Sequence, residues 1–124
     1  MIAPLRRSVT ANIDYALKLR QVPRRRRADI IDRVLQQTGL RRLADQPARV
    51  LSIGEQQKLA LARAWALEPQ VLFLDEPTAS LDPAATHSVE EIIAAIHDAG
   101  TRIIMTTHDL GQDRRIADEV IFIN

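Results

Sequence analysis

Two acids stand side by side at the end of an apolar run, Val71-Leu72-Phe73-Leu74-Asp75-Glu76-Pro77. Four consecutive apolar residues read as a short strand buried on both faces, which places both carboxylates at its rim. There the first can hold the water shell of a divalent cation, and the second can orient or deprotonate an attacking water. A strand that merely ends in two solvated acids fits the same residues. A second candidate is Ser52-Ile53-Gly54-Glu55-Gln56. Serine with glutamate three positions on is a capping box, so a helix is expected to start here. A serine hydroxyl, a glycine allowing close approach and free backbone N–H groups at a helix start also form an anion site. An ordinary capped helix needs nothing different. His108 is the third candidate, just past the apolar run Ile103-Ile104-Met105.

The elements that must position these residues change character along the chain. Val9, Ile13 and Leu17 recur at helical spacing, and Ile30, Ile31, Val34 and Leu35 form the stripe of a second helix. Gly39 stands where a left-handed C-terminal cap is wanted. Between these helices, Pro23 and the arginines 24–27 read as a polar connection, a solvated turn. Beyond the Ser52 helix come the Val71–Leu74 strand and then Asp82-Pro83, an N-cap with proline at the first helical position. Val89, Ile92, Ile93 and Ile96 follow at helical spacing, and Gly100 closes that helix. Ile103–Met105 gives a second strand, a short helical stretch is expected around residues 110–117, and 120–123 gives a third strand. Such alternation predicts an α/β fold with a parallel sheet and right-handed crossovers. Ligands of such sheets bind beyond the carboxyl ends of the strands, where Asp75, Glu76 and His108 fall. His87 and His97 read as surface residues, and Trp65 reads as core.

Composition narrows the class. A length of 124 residues suits one modest domain. Lys and Arg total 17 against 16 Asp and Glu, a net charge of +1 with no field to attract nucleic acid. Four aromatic residues (Tyr15, Trp65, Phe73, Phe122) are too few for base-stacking platforms. Without cysteine there are no disulfides or thiolate metal sites. The longest apolar run, Ile92–Ile96, is far short of the roughly 20 residues that span a bilayer, and the first residues lack the apolar region of a signal peptide. A soluble, cytoplasmic protein is expected.

Taken together, the motifs resemble the ATP-binding cassette (ABC) ATPases. Leu51–Glu55 matches that family's Leu-Ser-Gly-Gly-Gln signature. Asp75 and Glu76 match the Walker B aspartate and the catalytic glutamate, Ser80-Leu81-Asp82 the D-loop, and His108 the switch histidine. Leu5–Val9 looks like the stretch that opens the family's helical subdomain. The resemblance implies a P-loop NTPase-like parallel sheet with flanking helices, plus the helical signature subdomain. Residues 1–66 would form that subdomain, and 67–124 the C-terminal part of the RecA-like core.

The same resemblance implies ATP and Mg as cofactors, with Asp75 on the metal through water and Glu76 and His108 as the catalytic pair. Ser52, Gly54, Glu55 and Asp82 would contact nucleotide. In the family, two cassettes sandwich ATP head to tail, so the Ser52 signature would serve a nucleotide held by a partner. A transmembrane permease subunit would hold the protein at the inner face of the membrane. Residues 106–120 look closest to phosphate- and tungstate-type oxyanion importers. Nucleic acid is not an expected partner, although a nucleic-acid-handling ABC ATPase is an alternative; it lacks support from basic arms or heptad tracts.

Two departures bear on this expectation. Ile53 replaces a signature glycine, and a β-branched side chain there crowds an approaching phosphate. The phosphate-cradling Gly-x-x-x-x-Gly-Lys-Ser/Thr is missing. No pair of the four glycines has its spacing, and neither lysine, Lys18 or Lys58, follows a glycine. The chain therefore looks like the C-terminal part of a cassette, with a catalytically silent binding module as the other reading.

Overall fold

The computed structural model describes residues 7–106 and 121–122. The chain divides into two compact units, Met1–Leu67 and Glu68–Asn124.

In the first unit, helix α1 spans Val9–Leu19, α2 Arg24–Thr38 and α3 Ile53–Ala66. Short 3-10 turns at Arg41–Leu43 and Ala48–Val50 lie between α2 and α3. The orphan donors of the first turn of α1 are taken up locally. The Ser8 hydroxyl accepts from Ala11 N at 3.0 Å, while Val9 N and Thr10 N donate to the Gln46 and Ala44 carbonyls, each at 3.0 Å. The loop leading to α3 is thereby clasped to the start of α1. Gly39 ends α2 in the left-handed region, φ 71°, and Leu40 N returns to the Leu35 carbonyl at 2.9 Å. The apolar stripes converge on one core of Val9, Ile13, Leu17, Ile30, Val34, Leu59 and Ala62, closed by Leu40 and Leu51.

The arginines 24–27, expected as a connecting turn, instead begin α2. Arginine has high helix propensity, and Pro23, with φ −58°, presets the entry into the helix. Arg27 also has anchors, donating to Asp14 Oδ1 at 2.8 Å and to the Val22 carbonyl at 3.0 Å.

In the second unit, β1 (Val71–Asp75), α4 (Pro83–Asp98), β2 (Arg102–Thr106) and β3 (Ile121–Phe122) alternate. The strands are parallel in the order β1-β2-β3, with Val71 beside Arg102 and Asp75 beside Thr106. Helix α4 buries Val89, Ile92, Ile93 and Ile96, and β2 buries Ile103 and Met105 completely. The short helical stretch expected around residues 110–117 lies outside the described residues.

Strand β1 corrects the expectation of burial on both faces. Leu72 and Leu74, in register with Ile103 and Met105, are half-buried, whereas Val71 is 40% and Phe73 71% exposed. Strand side chains alternate between faces. The face that carries Ile103 and Met105 is covered, and the Phe73 face is open. His97 is a second correction: its side chain is only 24% exposed, against 75% for His87.

Candidate functional site

Asp75 and Glu76 sit at the carboxyl end of β1, where the sequence pattern puts them. Thr106, the last residue of β2 and the register partner of Asp75, joins them. Its hydroxyl donates to Asp75 Oδ1 at 2.5 Å and accepts from Glu76 N at 3.1 Å. Glu76 N also donates to the Thr106 carbonyl at 2.9 Å. Glu76 itself adopts φ 45°, a left-handed conformation costing about 1–2 kcal/mol for a residue with a Cβ. The Thr106 contacts offset that cost and turn the chain sharply out of the strand. Asp75 is exposed and Glu76 half-buried. Among the described residues, Asp75 takes the Thr106 hydroxyl proton on Oδ1 and is exposed, so its carboxylate meets solvent.

The segment after Glu76 folds back in two turns, with Ala79 N on the Glu76 carbonyl at 3.0 Å and Leu81 N on the Thr78 carbonyl at 3.3 Å. Ser80 is left-handed, φ 67°. Asp82 caps α4, its carboxylate accepting from Ala85 N at 2.7 Å, and Pro83 opens the helix. That carboxylate serves the helix terminus, as its sequence position implied.

The signature residues belong to the other unit. Ser52 caps α3, and the full capping box is formed. Glu55 N donates to Ser52 Oγ at 3.1 Å, and Ser52 N to Glu55 Oε1 at 2.9 Å. Arg42 Nη2 reaches Glu55 Oε2 at 3.2 Å. The pKa of Glu55 is lowered, first by the Ser52 backbone N–H. Partial burial opposes this, and the Ser52 hydroxyl and Arg42 reinforce it. Glu55 is thus an ionised residue committed to the helix start. Ser52 Oγ uses a lone pair in the box and keeps its O–H proton for an outside acceptor. Gly54 is buried in the first turn and Ile53 is 65% exposed.

The candidates therefore fall into two groups, Ser52, Gly54 and Glu55 in the helical unit and Asp75, Glu76 and Asp82 in the strand unit. His108 lies outside the described residues. Sequence reading missed Thr106 as a member of the carboxylate group. Its only signal was a hydroxyl-bearing β-branched residue at the end of the strand expected to pair with Val71–Leu74.

A hydrated Mg2+ takes one or two carboxylates and leaves its remaining positions to water and phosphate. An exposed Asp75 carboxylate followed directly by Glu76 fits that need. No Gly-x-x-x-x-Gly-Lys-Ser/Thr loop occurs in the sequence.

Comparison with known proteins bears on these motifs. Residues 7–111 match the family model described as "AAA domain, putative AbiEii toxin, Type IV TA system". The tungstate uptake system ATP-binding protein TupC of Peptoclostridium acidaminophilum is 38% identical over 96% of this chain and 56% of its own length. The phosphate import ATP-binding protein PstB 1 of Yersinia pestis is 39% identical over 98% of this chain and 46% of its own. The solved structure of cbiO1 from Clostridium perfringens, part of the ABC transporter complex cbiONQ, superimposes with a TM-score of 0.83. It is 31% identical and covers 94% of this chain and 47% of that one. The chain belongs to the ABC-type ATPases of the AAA-domain family. Its fold is the α/β P-loop NTPase type, as the motifs implied. The chain spans about half the length of the curated relatives it matches.

Proposed function

We propose that the chain is the C-terminal part of the nucleotide-binding domain of an ABC importer, in which ATP binding and hydrolysis drive uptake of an inorganic oxyanion. Residues 1–66 are the helical signature subdomain and 67–124 the C-terminal part of the ATPase core. The observation that carries the reading is the adjacent Asp75–Glu76 pair at the carboxyl end of a parallel strand, with Asp75 exposed and both residues hydrogen-bonded to Thr106. Similarity to tungstate and phosphate import proteins supports the substrate class.

Asp75 would hold the water shell of a magnesium ion. Glu76 accepts a proton from the attacking water, and His108 contacts the terminal phosphate. Bound Mg2+ supplies charge neutralisation at the phosphates. Ser52 donates its free hydroxyl proton to a nucleotide held by a second, head-to-tail cassette. The buried Gly54 lets the chain approach closely, while Glu55 fixes the helix start, which favours anions. Asp82 fixes the turn that faces the partner. Among the described residues no helix is long and apolar enough to cross a membrane, and attachment is through a permease subunit. A catalytically silent module is the second reading, favoured by the lack of a phosphate-cradling loop within these residues.

The test fuses the chain to the upstream half of the tungstate relative. Glu76→Gln should lower turnover roughly 10²–10⁴-fold while nucleotide binding persists, because the amide keeps the shape and loses the base. Parent-like turnover in Glu76→Gln removes Glu76 as the base. A fusion that binds ATP and never turns it over favours the silent module.

A further inference from the structure

We infer that Thr106 is a positioning residue of the carboxylate pair, setting the direction of the Asp75 metal-facing oxygen and the backbone turn at Glu76. The inference rests on the reading of Asp75 and Glu76 as a cation and water site. Three contacts carry it: the hydroxyl donates to Asp75 Oδ1 and accepts from Glu76 N, and the Thr106 carbonyl takes the same Glu76 N–H.

A hydroxyl has one proton and two lone pairs. Here the proton points to Asp75, and a lone pair receives Glu76. The two acids are thus fastened to one side-chain atom on the neighbouring strand. Oδ1 is engaged by that proton, which leaves Oδ2 as the oxygen for the cation's water shell. The single N–H of the left-handed Glu76 is shared between two acceptors of the same residue, which fixes the backbone turn there. Valine would suit the strand equally well, since β-branched residues favour sheets. What threonine adds is the hydroxyl. Hydrogen-bond partners of metal-ligating carboxylates commonly set affinity in this way.

The test uses the 124-residue chain with Mn2+ as a paramagnetic stand-in for Mg2+, read by line broadening of backbone amide resonances. In the parent, broadening should centre on Asp75 and Glu76. Thr106→Val, which keeps the shape and removes the hydroxyl, should raise the Mn2+ concentration for half-broadening roughly 10–100-fold. It should also move the Glu76 amide resonance upfield. Thr106→Ser restores the hydroxyl and should recover both readouts. A purely structural role predicts a moved Glu76 amide with unchanged Mn2+ response, and that result overturns the inference. So does a parent whose Asp75 and Glu76 amides ignore Mn2+, or a serine variant that behaves like valine. Turnover of the Glu76→Gln fusion judges the underlying reading separately. Loss of turnover there, beside an indifferent Thr106→Val, sinks this inference alone.

Discussion

The helical unit closes its own core, whereas the strand unit leaves one face of its sheet open. Leu17 and Val34 are fully buried where α1 and α2 contribute to a shared cluster. On β1, by contrast, Phe73 is 71% exposed one pleat away from the covered Leu72 and Leu74. The two groups of candidate residues divide along the same line. The capping box sits on the closed unit and both of its hydrogen bonds are formed there. The carboxylate pair sits on the open unit, beside apolar surface that has no cover among the described residues. Both groups are held by hydrogen bonds, within one helical turn between Ser52 and Glu55 and across two strands from Thr106 to Asp75 and Glu76.

The largest effect expected from this contrast is in the closed unit. Leu17→Ala should cost about 2–5 kcal/mol, the range for deleting a fully buried leucine side chain. Trp65 is the sole tryptophan and lies buried in α3, so its fluorescence in urea follows the unfolding around that helix. A Leu17→Ala chain with an unchanged Trp65 transition would mean that the cluster is looser than its burial indicates.

Much of this architecture was legible from spacing. The stripes of α1, α2 and α4 sit at helical period, and Gly39, Ser52 and Asp82 are the cap residues that the chain uses. These are local signals, and local signals survive tertiary context. The failures have a common cause. Val71–Leu74 is apolar throughout, and composition cannot say whether one face or both will be covered; that depends on elements far away in sequence. Arg24–Arg27 looks like a solvated connection by charge alone, but helix propensity and the preset φ of Pro23 make it the start of α2. Thr106 was missed because its role exists only in the register that brings it beside Asp75, thirty-one positions earlier. The carboxylates themselves were legible, since adjacent acids after an apolar run need no register to be noticed.

A smaller effect separates the units by pH. Partial burial raises the Asp14 carboxyl, but hydrogen bonds and charge from Lys18 and Arg27 outweigh it, so its pKa falls below the ordinary 3.8. Glu55 is lowered from 4.5, chiefly by the Ser52 backbone N–H. With folded values depressed, the folded state binds fewer protons than the unfolded one at the same pH. The stabilisation is therefore complete above about pH 4.5 and is lost as pH falls through the lowered folded values. The Trp65 midpoint in urea should decline with acid below that point. Glu55→Gln and Asp14→Asn should each flatten the decline. A midpoint as acid-sensitive in the double variant as in the parent would assign the effect to other groups.

The smallest expected change is the one that tests the open face directly. Phe73→Ser removes a large aromatic side chain, which from a closed core costs about 3–5 kcal/mol. On a surface the same replacement stays within about 0.5 kcal/mol. Strand propensity alone shifts little, because Phe73 lies on an exposed pleat with Ile104 as its in-register neighbour. Amide exchange at Ile103 and Met105, both fully buried in β2, measures the strand unit without interference from the helices. Protection at those amides should be nearly unchanged in Phe73→Ser, and light scattering at high protein concentration should fall, since an exposed aromatic on an edge strand promotes association. A loss of protection equivalent to several kcal/mol would instead show that Phe73 is covered in solution. The contrast between a closed helical unit and an open strand unit would then fail at its most exposed residue.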